Sequence, residues 1–180
     1  MKSKNISIAG ILIAITVVML YLTSIIPINT IAILTLVSAI TPICIMRTNV
    51  KNSILVYIAA GIISFFLVPV NISILYILFF GLYGIIKFFI EKINNKIVET
   101  ILKLIFMNLV LFVTIFAFEN IVGLDIINQV ENIIKNFINT SNINIYKWIG
   151  VIIIQPIFII YDYALTLVIT IYIEKIHKRI

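Results

Sequence analysis

The chain has 180 residues, of which 63% are apolar and 11% charged, with a formal net charge of +6 and a mean hydropathy of +1.25. A soluble domain carries about 45–50% apolar and about 25% charged residues, so these proportions exclude a soluble globular enzyme and point to an all-α integral membrane protein. One span takes roughly 20 residues, which leaves room for about six spans with short connections in a single domain over residues 1–180.

The first apolar run, roughly Ile6 to Ile26, follows Lys2 and Lys4. It is longer than a signal-peptide core and no A-x-A-like cleavage site follows it, so it is expected to remain as a span. Pro27 and Asn29 interrupt it. A second span is expected from Thr30 to Met46, closed by Arg47, Asn49, Lys51 and Asn52, and a third from Ser53 to Val68, stopped by Pro69 and Asn71. The fourth, Ile72 to Ile90, runs into the densest charge cluster of the chain: Lys87, Glu91, Lys92, Lys96, Glu99 and Lys103. The fifth, Ile97 to Phe118, begins inside that cluster. The sixth, Trp148 to Ile173, ends in Glu174, Lys175, His177, Lys178 and Arg179.

Sidedness follows from the basic residues, because cytoplasmic segments of membrane proteins are enriched in Lys and Arg. With both termini inside, Lys2, Lys4, Arg47, Lys51, Lys87, Lys92, Lys96, Lys103, Lys175, Lys178 and Arg179 share one side, 11 of the 13, and only Lys135 and Lys147 lie on the other. The positive charge is thereby accounted for by orientation in a cell membrane, with no need for a nucleic-acid partner. The connection from Glu119 to Lys147 carries apolar Ile126, Ile127, Val130, Ile133, Ile134, Phe137 and Ile138 at helical spacing, with polar residues opposite and Asp125 as N-cap. That pattern predicts an amphipathic helix on the outer surface, either sealing the bundle or covering an outward-facing site.

Catalysis finds little support. His177 is the single histidine and lies in the basic tail. Cys44 is the single cysteine, inside an apolar run with no base in its own segment, and neither a metal set nor a cofactor motif is legible. Gly81 and Gly84 lack the strand-to-helix context of a phosphate-binding loop. The residues that stand out are polar groups at membrane depth, where ionisable side chains are costly and mark function or pairing. Asp162 lies near the middle of the sixth span, and at 100° per residue Trp148, Gln155, Asp162 and Thr166 share one stripe. Asp162 either meets a ligand or pairs with Lys103, about 7 Å away in height by helical rise; Glu99 and Glu91 compete for Lys103 and Lys87 as local i, i+4 partners. Asn108 in the fifth span serves either an interhelical hydrogen bond or a ligand. Gly10 and Ala14, with Ala9 beside them, form a small-xxx-small pair in the first span, as Ala60 and Ser64 do in the third; such pairs pack inside the bundle or dock a partner helix.

With six spans in 180 residues, both ends inside and that early small-residue pair, the chain resembles the substrate-binding S component of energy-coupling-factor (ECF) vitamin transporters. The family's alanine-containing motif would fall on Gly10 and Ala14, with Gly in place of the first alanine. The resemblance implies docking of that face on a transmembrane coupling subunit, transport powered by partner ATPases, and an outward-opening cavity for a small ligand. Asp162 is expected at its floor with Gln155 and Trp148 above it on the same face and Asn108 as a further ligand contact, suited to a polar heterocycle or cationic ligand. Two other classes fit the same residues: a ligand-free membrane scaffold, and a proton- or ion-coupled carrier using Asp162.

Overall fold

The computed structural model describes residues 3–26, 29–122 and 143–175, and every described element is helical. Six long helices follow in order: α1 (Ser3–Ile25), α2 (Thr30–Arg47), α3 (Val50–Leu67), α4 (Val70–Ile93), α5 (Lys96–Ala117) and α6 (Ile143–Lys175). All six contain segments long and apolar enough to cross a membrane. The outer amphipathic segment expected around Asp125 to Asn139, and His177, lie outside the described residues.

Short turns between helices force antiparallel neighbours. Asn49 opens α3 by accepting a hydrogen bond on its side chain from the Asn52 amide at 2.8 Å. At the next turn on the same end, Asn94 adopts a left-handed backbone (φ 54°), a conformation asparagine tolerates better than other side-chain-bearing residues. Asn95 then caps α5 by accepting from the amides of Ile97 and Val98 at 3.2 and 3.5 Å. Arg47, Lys51, Lys92 and Lys96 therefore gather at one end of the bundle, called here the basic end.

α2 is the central helix, touching α1, α3, α4 and α6. Leu34, Val37, Ala39 and Cys44 on it are at most 1% exposed. Its core also carries hydroxyls, which have no water to turn to in a bilayer and so bond the backbone. Thr35 donates to the Ile31 carbonyl at 2.8 Å, and Ser53 of α3 donates to the Thr41 carbonyl at 2.8 Å. Pro42 lacks an N–H, which leaves the Ser38 carbonyl one turn earlier without its helical donor. The Thr41 hydroxyl donates to that carbonyl at 3.2 Å, and Gly84 of α4 packs directly over it: a Cβ there would lie 2.4 Å from Ser38 O and 2.2 Å from Thr41 Oγ1. Gly84 is thus a packing residue that lets two backbones meet.

α4 widens into a π-helical turn over Tyr76–Phe80. Such a turn loosens the backbone hydrogen-bond ladder, and the Tyr57 hydroxyl of α3 donates to the Ile77 carbonyl within it at 2.8 Å. On the outside of the bundle, Phe66 (84% exposed), Phe112 (74%) and Ile152 (66%) form the kind of broad apolar surface that belongs against lipid. Ala60 and Ser64 are fully buried, so this small-residue pair packs internally.

Candidate functional site

The α4–α5 hairpin places Lys87 seven residues before Asn94 and Lys103 nine after it, so both rise about 10–13 Å from the turn by helical rise. Each lysine has the local partner its spacing suggests: Lys87 meets Glu91 at 2.7 Å and Lys103 meets Glu99 at 2.6 Å. Those pairs are not closed units. Glu91 also reaches Lys103 across the hairpin at 3.1 Å, and Asp162 of α6 inserts between the two lysines, with Lys103 at 3.0 Å on Oδ2 and Lys87 on Oδ1. The Tyr83 hydroxyl donates to the same Oδ1 at 2.6 Å. Lys87 additionally donates to Thr166 Oγ1 at 2.8 Å.

Two ammonium groups and three carboxylates therefore form one network joining three helices. Its lysine side chains are almost fully enclosed, at 1% and 7% exposed, whereas Glu91 at 38% reaches the surface. Charges at this depth persist only when paired and hydrogen-bonded; Lys87, Lys103, Glu91 and Asp162 each have at least two partners, and Glu99 is held by Lys103. On the opposite side from Glu91 the network is walled by rings. Tyr83 stacks on Phe79 and Phe106 at 5.6 and 5.8 Å between centroids, and Phe158 meets it edge-on at 5.3 Å. Tyr161, the neighbour of Asp162, donates to Ser38 Oγ at 2.8 Å, which ties the site to the central helix.

The polar stripe expected on α6 separates into two rungs. Asp162 and Thr166 belong to the ionic network. Gln155, seven residues or about 10 Å further along the helix, donates from Nε2 to Asn108 Oδ1 of α5 at 2.8 Å. Asn108 in turn donates to its own Leu104 carbonyl at 2.9 Å. Gln155 Oε1 is buried without a hydrogen-bond partner. Trp148 lies on the α6 backbone, but its side chain is outside the described residues. Gly10 and Ala14 are exposed on α1 while Ala9 beside them is buried, and nothing lies within 4 Å of the Cβ position at Gly10.

Sequence reasoning weighed Lys103 for Asp162 but left Lys87 to Glu91 and did not single out Tyr83. The available signal was spacing: Tyr83, Lys87 and Glu91 recur every four residues and so line one face of α4. At the basic end Arg47 of α2 donates from Nε to the Tyr172 hydroxyl of α6, which puts Asp162 ten residues, about 15 Å, from that end. That is half the thickness of a hydrocarbon core of about 30 Å.

No curated protein and no solved structure matches the chain. A family model described as predicted membrane protein (DUF2232) matches residues 14–156. That match takes in most of the six-helix bundle, including the hairpin that carries Lys87 and Lys103 and the Asn108–Gln155 rung. The chain belongs to this membrane-protein family, DUF2232.

Proposed function

We propose that the protein is the membrane-embedded, substrate-binding subunit of an ECF-type uptake transporter for a small micronutrient, with both termini cytoplasmic. It has no catalytic chemistry of its own in this reading and depends on partner ATPases for energy. One observation carries the proposal. Of the two small-residue pairs, Ala60 and Ser64 are used inside the bundle, whereas Gly10 and Ala14 face outward with no side chain of the described chain packed on Gly10. Small residues permit close helix approach, and in lipid that property is useful chiefly against another helix. A coupling subunit is the partner this face suits.

Purification of the tagged, full-length protein from its native host in mild detergent tests the reading. Recovery of a transmembrane subunit together with paired ATPases, lost on Gly10→Leu without loss of the isolated fold, is the expected result. Recovery of the chain with no ATPase overturns it in favour of a scaffold.

A second reading, a proton-coupled carrier, is favoured by the hydrogen-bonded chain running from Tyr83 through Asp162 and Lys87 to surface-reaching Glu91. Chains of this kind are used as proton relays in membranes. Proton flux into liposomes containing the purified protein, abolished by Asp162→Asn, is the result that would select it.

A further inference from the structure

We infer that the seam between α5 and α6 is a hydrated cleft that admits an uncharged, hydrogen-bond-donating solute. This deepens the substrate-binding reading and rests on it for the fate of the solute. α5 and α6 touch sparingly, and two polar rungs span the gap: Asn108 with Gln155, and Lys103 with Asp162.

Two observations point to an occupant at the first rung. Gln155 Oε1 is buried and has no partner, although buried polar atoms are nearly always hydrogen-bonded to protein or to water. Asn108 is exposed twelve residues along α5 from Lys96, about 18 Å by helical rise; beyond its bonds to Gln155 and the Leu104 carbonyl, its second N–H and second lone pair have nothing to bond in hydrocarbon at that depth. Water or a polar solute in the seam satisfies both groups, and lipid satisfies neither.

The chemistry of the solute follows from what remains unfilled. Gln155 Oε1 is a free acceptor, as is the second lone pair of Asn108 Oδ1, and each amide nitrogen keeps one N–H beyond the bonds it makes, so the occupant supplies N–H or O–H donors together with acceptors. At the second rung the charge of Asp162 is already met by Lys87, Lys103 and Tyr83. A cation approaching Asp162 therefore meets two ammonium groups, and an amide, a hydroxyl-bearing molecule or an N–H heterocycle fits better than an amine.

Thiol chemistry tests this without knowing the solute, because methanethiosulfonates react with the thiolate and a thiol surrounded by lipid does not ionise. In full-length protein in liposomes, with Cys44→Ser as background, Asn108→Cys is compared with Leu109→Cys, whose native side chain is 60% exposed on the lipid face. The probe is uncharged 2-hydroxyethyl methanethiosulfonate. The expected result is a rate at least about tenfold faster at position 108 than at 109, reflecting the higher thiolate fraction in water. Ile159→Cys, on the α6 stripe between the rungs, should behave like Asn108→Cys and serves if that variant does not fold. Equal rates at the seam and lipid positions overturn the hydrated cleft. Trimethylammonium and sulfonate forms of the reagent, each normalised to a free thiol, test the solute class. Rates within about tenfold of each other support an uncharged occupant, and a larger preference for the cation overturns that assignment. Failure here concerns the cleft alone, since the transporter reading stands or falls on recovery of the ATPases.

Discussion

Replacing Lys103 by Met and Asp162 by Asn, singly and together, probes whether the buried charges act as one structural unit. Asp162 accepts from Lys103 at 3.0 Å and from Tyr83 at 2.6 Å, as well as from Lys87. Removing one member of a buried pair costs about 3–5 kcal/mol when the other charge is stranded. Here neither lysine is stranded by Asp162→Asn, because Lys87 keeps Glu91 at 2.7 Å and Lys103 keeps Glu99 at 2.6 Å. The expected loss is accordingly at the lower end, about 3 kcal/mol. Lys103→Met acts differently, since it removes the partner of Glu99, leaves Glu91 and Asp162 to share Lys87 and drops the formal balance of the cluster from −1 to −2. Adding Asp162→Asn to Lys103→Met returns that balance to −1, so the double variant should be more stable than Lys103→Met alone. The coupling expected for residues in one network is about 1.5–3 kcal/mol. Thermal unfolding of the detergent-solubilised protein, followed by loss of the monodisperse peak, measures it. Strict additivity, with the double variant at the sum of the two losses, would refute the reasoning.

Two further outcomes follow from packing and from sidedness. Gly84→Ala should lower stability by about 1–3 kcal/mol or prevent folding, because the new Cβ would meet Ser38 O at 2.4 Å and Pro42 Cδ at 2.8 Å. Gly10→Ala, with nothing within 4 Å, should change it by less than about 0.5 kcal/mol, and a comparison of the two melting curves checks both. For orientation, a cysteine at exposed Asn71 should react in intact cells with an impermeant maleimide and one at exposed Lys96 should not; Cys44 is buried and contributes little background. The reverse pattern would place the basic end outside.

Much of the bundle was legible before any tertiary contact was known. Six spans, their order and the clustering of basic residues at one end follow from hydropathy and from the length a bilayer demands, both of which are local properties of the chain. The helices begin and end within a few residues of those expectations, with the largest difference at α6, which starts at Ile143 where Trp148 was expected. A membrane-length criterion is blind to a helix that continues beyond the apolar core, and Asn144 and Lys147 lie in that extra turn. The i, i+4 pairs of Lys87 with Glu91 and Glu99 with Lys103 were likewise readable, because helical geometry alone brings them together.

Only the tertiary structure decided which charges share a site. Lys87 meets Asp162 across 75 residues, and that meeting depends on the rotation and register of α4, α5 and α6, for which one sequence carries no local signature. The same holds for Gly84. Its place against the Ser38 carbonyl is set by Pro42 on a different helix, so composition shows a glycine in an apolar span and packing shows why a side chain cannot stand there. Gly10 has the opposite answer from an equally plain sequence context, since the six-helix packing turns its neighbour Ala9 inward and leaves Gly10 facing out. Local chemistry dictated that each helix form and cross; the relative rotation of the helices, fixed by close packing between distant segments, determined what each polar or small residue touches.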